Sequence, residues 1–81
     1  MNADDLIELL QPHFPKAHLQ AANQGNKFEV LIVDAVFEGK RPVQRQQAVY
    51  AIVNPHIQSG AMHALTIHAL TPDEYNTKKG Q

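Results

Sequence analysis

The chain is 81 residues long, 43% apolar and 19% charged, with no cysteine, which excludes intrinsic disorder, a disulfide framework, a zinc knuckle and a thiol nucleophile. That length accommodates one domain, residues 1–81, whose thin core buries about 60% of the unfolded surface. The formal charge is −1 with five histidines neutral, and five added protons bring it to +4.

In chain order, Leu6, Ile7, Leu9 and Leu10 form the apolar stripe of an amphipathic helix over residues 3–11. Asn2 or Asp4 caps it, and acidic residues in its first turn suit the helix dipole. Asp4 and Asp5 also stand where a signal peptide carries positive charge. No apolar run approaches the ~20 residues of a membrane span, so the expected location is the cytoplasm. Pro12 and Pro15 end the helix. Residues 17–21 alternate as a short half-buried strand. Residues 23–26 form a turn in which Gly25 supplies positive φ, and residues 28–33, rich in aromatic and β-branched side chains, read as the central strand.

Residues 37–42 read as a loop ending on Pro42 at the first helical position. A helix follows from about residue 43, with Val43, Val49, Tyr50, Val53 and Ile57 on or near one face. Proline within a helix costs ~3 kcal/mol, so Asn54-Pro55 predicts either a kink or a new turn up to Gly60. Residues 62–70 form the third strand. Thr71 and Glu74 have capping-box spacing with Pro72 between them, which starts a short last helix. The tail, residues 76–81, is expected to fray. The order is αββαβα, an α+β fold in which a three-stranded sheet carries its helices mainly on one face.

The histidines are the candidate metal-binding residues. His63 and His68 are five apart on one strand, on opposite faces and roughly 16 Å from each other, so one chain cannot chelate a metal with both. His63, in line with Leu65, Ile67 and Ala69, reads from its residue pattern as a half-buried, satisfied histidine. Mild acid would reverse the sign of the chain's charge, which suggests pH sensing, although surface histidines commonly titrate without consequence. Lys40, Arg41 and Arg45 form the compact basic group, suited to phosphates or to a protein partner. A KH domain clamps a nucleic-acid backbone with a Gly-x-x-Gly loop, whereas Gly39-Lys40-Arg41-Pro42 lacks the second glycine, and a charge of −1 is not that of a basic domain. No nucleophile–base pair, paired carboxylates or phosphate-cradling glycine loop occurs, and Glu29 and Glu38 read as isolated. An enzyme is not expected.

One ordered set of residues adds to this reading: Phe37-x-Gly39, Arg45, Val49-Tyr50, His63-Ala64-Leu65 and Thr71-Pro72-Asp73-Glu74-Tyr75. With its spacing it resembles the BolA family, and within that the acid-stress IbaG-type branch, over about residues 4–75. The resemblance implies a class II KH-like fold and a non-catalytic adaptor in iron–sulfur trafficking or in iron and acid-stress regulation. The implied partner is a monothiol glutaredoxin. The implied cofactor is a two-iron two-sulfur cluster, present only in that complex with glutathione. The alternative that it implies is a DNA-binding transcriptional regulator of the stress response. Alone, the chain is expected to be a monomer or weak homodimer.

In the family, the cluster lies between the glutaredoxin cysteine, a glutathione thiol and two residues of the BolA-like chain. His63 matches the family's ligand histidine, and His68 is similar to an auxiliary histidine of some members. Replacing thiolate by neutral imidazole raises a cluster's potential, and acid weakens such a site because the ligating nitrogen must be deprotonated. The second ligand is a cysteine or histidine from the loop between the first two strands. This chain departs there: residues 22–27 contain neither, and Lys27 stands where many relatives have histidine. His18, in the first strand, is the remaining weak candidate.

Overall fold

In the computed structural model, which describes residues 1–79 with side chains through residue 77, the chain opens on helix α1 (Ala3–Leu10). Asn2 Oδ1 accepts from the Asp5 N–H at 3.0 Å and Asp5 Oδ2 accepts from the Asn2 N–H at 2.9 Å. Of the two candidate caps, Asn2 serves, through a reciprocal capping box. Leu6 and Leu10, one turn apart, are fully buried.

Strands β1 (His18–Gln24) and β2 (Lys27–Val33) form an antiparallel hairpin. Its turn is two residues, Gly25 and Asn26, with Gly25 at φ 59°, the glycine-first turn that matches strand twist. Both strands are longer than the sequence suggests because the turn is tighter. Asp34 caps a 3-10 turn, Ala35–Phe37, which lowers Phe37 into the core, its ring 5.7 Å from that of Phe14. Gly39 then takes φ 77° with open space around it, so backbone conformation selects glycine there.

Helix α2 (Pro42–Gln58) runs without a break through Pro55. Pro55 leaves the Ala51 carbonyl without its helical donor. Both residues are exposed, so water can satisfy that carbonyl, and no new turn is needed at Asn54. The buried stripe is Arg45, Val49 and Val53, at four-residue spacing. Val43, two residues from Arg45 and hence on the far side, is 58% exposed, and Tyr50 lies at the flank.

Strand β3 (Ala64–Leu70) lies parallel to β2, in the order β1-β2-β3. The crossover through α2 supplies the length a parallel connection requires. Helix α3 (Pro72–Lys79) closes the described chain. Its capping box is present: Thr71 N–H to Glu74 Oε1 at 2.8 Å and Glu74 N–H to Thr71 Oγ1 at 3.2 Å. The helix runs through Lys79, and the rest of the tail expected to fray, Gly80 and Gln81, lies outside the described residues.

Phe28, Val30 and Ile32 of β2, with Leu65, Ile67 and Ala69 of β3, face α1 and α2 and form one core cluster. Met62 precedes β3 and joins this core, against the strand parity expected for it. The outer face carries Gln20, Ala22, Glu29, Thr66 and His68. Helices therefore cover mainly one face. At one end of the outer face, however, Tyr75 of α3 lies 5.7 Å from the His18 ring, and neighbouring Val33 is buried. Among the described residues, no helix is long and apolar enough to cross a membrane.

Restoring the missing donor in α2 tests the continuity of that helix. Pro55→Ala should raise stability by about 1–3 kcal/mol, measured by urea denaturation. A neutral or destabilising result would mean that Pro55 starts a separate turn.

Candidate functional site at the hairpin end of the sheet

The β2–β3 register pairs Lys27 with Ala64. One residue earlier, the His63 N–H donates to the Asn26 carbonyl at 2.8 Å. The hairpin turn and the entry to β3 are thus fastened side by side. His63 lies just outside the strand and is exposed. The satisfied, half-buried histidine expected from its alternation with Leu65 and Ile67 is not what forms, because strand geometry begins one residue later. Among the described residues, no hydrogen bond engages its imidazole. The backbone is fixed while the ring faces solvent, an arrangement suited to donating one nitrogen to a metal brought by another molecule.

His18 does not join it. It pairs with Val33, seven residue rows along the sheet from Asn26, or roughly 23 Å at strand rise, and its ring rests near Tyr75. The weak candidacy of His18 as a second ligand is therefore removed by topology. His68 lies on the outer face, its Nε2 3.0 Å from Glu29 Oε2, so Glu29 is not isolated. The hairpin residues in register with the entry to β3, Gln24, Asn26 and Lys27, carry two amides and an amine. Among the described residues, no three of His, Cys, Asp or Glu gather to hold a metal. Two shallow depressions lie on the outer face, one lined by Ala22, Asn23, Lys27 and Thr66, the other by Gln20, Leu31 and His68.

The expected basic group is split. Lys40 and Arg41 are exposed at the start of α2, but Arg45 is only 9% exposed and its guanidinium is committed. Nε donates to the Lys40 carbonyl at 3.0 Å, while Nη1 donates to the Ala69 carbonyl at 3.1 Å and meets Glu74 Oε1 at 2.6 Å. The Phe37 ring lies 5.9 Å away, within cation–π range. Arg45 is thus a structural tie, not a phosphate contact. Its hydrogen bond, with that from the Thr71 N–H, holds the Glu74 carboxyl below its ordinary value, against a smaller opposing effect of burial. Sequence reading missed two further side chains from α2: Gln46 Nε2 donates to the Ile67 carbonyl at 2.9 Å and Tyr50 Oη to the Leu65 carbonyl at 3.3 Å. Four-residue spacing of Gln46 and Tyr50 was the available signal.

A model of the BolA-like protein family matches residues 10–74. An uncharacterized protein of the rpoN-murA intergenic region of Acinetobacter guillouiae is 52% identical over 93% of this chain and 90% of its own. The DNA-binding transcriptional regulator BolA of Haemophilus influenzae is 36% identical over 84% of this chain and 71% of its own. The acid stress protein IbaG of Escherichia coli is 28% identical over 93% and 89%. Among solved structures, BolA1 from Arabidopsis thaliana superposes with a TM-score of 0.77 at 30% identity, covering 89% of this chain and 93% of that one.

Arg45→Ala should cost about 2 kcal/mol, because it leaves the buried Ala69 carbonyl without its donor, whereas Lys40→Ala and Arg41→Ala should stay within about 0.5 kcal/mol. Equal effects of the three in urea denaturation would contradict the division. A carboxyl whose folded pKa is depressed contributes stability above its unfolded value and loses it as pH falls through the folded one. The advantage of wild type over Glu74→Gln should therefore be full at neutral pH and shrink as pH falls below about 4.5. A pH-independent difference would contradict the assignment.

Proposed function

The chain belongs to the BolA-like family, and from that premise we propose that it is a non-catalytic cytoplasmic adaptor that binds a monothiol glutaredoxin and lends His63 to a shared two-iron two-sulfur cluster. The observation that carries this reading is an exposed imidazole, engaged by no hydrogen bond among the described residues, on a backbone pinned to the hairpin turn. The partner, not this chain, brings most of the donors.

The residues here fit one donor. Asn26 and Gln24 are neutral amides, and a protonated Lys27 has no lone pair to give, so they do not complete the two-residue set of the family pattern. The cluster, when bound, supplies one-electron redox capacity and transferable iron and sulfide. The chain's own contributions are positional. The Asn26–His63 hydrogen bond fixes where the imidazole is presented, and the two-residue hairpin turn keeps the neighbouring loop short, so a partner can approach the ring. His68, joined to Glu29 on the outer face, lies outside that site.

A second reading is favoured by the relative whose name describes DNA binding. Lys40 and Arg41 remain exposed at the start of α2 and would contact phosphates. With Arg45 buried, these two cations and a net charge of −1 give this reading less support.

Anaerobic reconstitution with a monothiol glutaredoxin and glutathione should yield a visible spectrum distinct from that of the glutaredoxin homodimer. His63→Ala should abolish the distinct spectrum while retaining the partner on co-purification; His18→Ala and His68→Ala should leave it intact. An unchanged spectrum in His63→Ala rejects the ligand assignment. For the second reading, reversing Lys40 and Arg41 to Glu should flatten the salt dependence of duplex binding by about 0.9 for each phosphate no longer neutralised. Absence of duplex binding at moderate salt rejects it.

A further inference from the structure

The two edges of the sheet are treated in opposite ways. Asn26 C=O bonds to His63 N–H, and Asp34 N–H bonds to Leu70 C=O at 3.0 Å. Even-numbered residues of β2 therefore direct their main-chain groups toward β3, and odd-numbered ones toward β1. By the same alternation, Leu65, Ile67 and Ala69 of β3 point away from the sheet, and α2 takes each of those carbonyls with a side chain: Tyr50, Gln46 and Arg45. That edge is closed to another strand.

On β1 the alternation leaves the N–H and C=O groups of Leu19, Ala21 and Asn23 directed outward. Among the described residues, no hydrogen bond reaches them. The strand pairs one-to-one with β2 over its seven residues and contains no bulge, proline, lysine or arginine, the devices by which proteins block an open edge. Leu19 and Ala21 face the core side but are only half-buried, whereas Val30 and Ile32 of the adjoining strand are fully buried. A strand laid against β1 would both satisfy the main chain and cover this row.

We propose that β1 is a self-association edge, pairing antiparallel with β1 of a second copy of this chain about a two-fold axis at Ala21, so that two sheets join into one. The strand is self-complementary in that register. Leu19 meets the second copy's Asn23, Ala21 meets its own counterpart, and every outward main-chain group is engaged. On the outer face, Gln20 meets the second copy's Ala22, and His18 meets its Gln24. No like charges face each other, and alanines at the centre allow close approach. His63 belongs to the entry of β3, two strands away, and stays uncovered, so this association is independent of the cluster reading.

Sedimentation velocity over a concentration series should show a monomer–dimer equilibrium. Hydrogen exchange should show the Leu19 and Ala21 amides becoming more protected as concentration rises. Replacing Gln20→Lys together with Ala22→Lys puts like charges directly opposite in the paired edge, on exposed positions that folding tolerates, and should weaken association roughly tenfold. Gln20→Lys with Ala22→Glu puts opposite charges there and should restore it. A monomer at all concentrations overturns the proposal. So does a dimer that is indifferent to both pairs of substitutions, or whose Leu19 and Ala21 amides exchange at a rate independent of concentration.

Discussion

The register of β3 against β2 is the constraint on which the other features rest. Lys27 opposite Ala64 brings the hairpin turn beside His63, puts Leu65, Ile67 and Ala69 on the core face, and turns their carbonyls toward α2. A slip of one residue would reverse every β3 side chain, sending Ile67 to solvent and Thr66 and His68 into the core. The apolar alternation of β3 enforces the register from within. The donors from α2 enforce it from the edge.

Arg45 concentrates that enforcement in a single group. A guanidinium on the buried stripe of a helix is costly unless its donors are used. Here they link the Lys40 carbonyl at the start of α2, the Ala69 carbonyl of β3 and Glu74 of α3. One side chain so joins α2 to β3 and α3, through partners 24 and 29 residues later in the chain. The planar fork of arginine suits this shared geometry in a way that an ammonium does not. With this cation withdrawn from the surface, Lys40 and Arg41 are left as the exposed basic pair at the start of α2.

Local chemistry made much of the architecture legible. Thr71 announces its helix through Glu74 three positions on, Asn2 was one of two candidate caps for α1, Gly25 marks the hairpin, and the β-branched content of β2 identifies the central strand. Two kinds of feature were not legible. The burial of Arg45 depends on Glu74, 29 residues later, and on a β3 carbonyl, and a lone arginine before Val49 and Val53 gives no sign of either. The separation of His18 from His63 depends on which way β3 runs along β2. Since β3 is parallel, its entry meets the turn of the hairpin, at the far end from His18. The exposure of His63 was missed for a related reason: strand alternation was extended one residue too far. The family resemblance marked His63 for a ligand role, and the geometry supplies the accessible ring which that role needs.

The functional account therefore reduces to one nitrogen donor from this chain, at the head of β3, with the remaining donors supplied from outside it. Pulsed electron paramagnetic resonance of the reduced, glutaredoxin-bound complex, with this chain alone carrying 15N-histidine, examines that donor directly. The account predicts a 15N hyperfine coupling from a single directly bound imidazole, lost in His63→Ala. A cluster with no strongly coupled nitrogen from this chain, or one whose coupling survives that substitution, would contradict it.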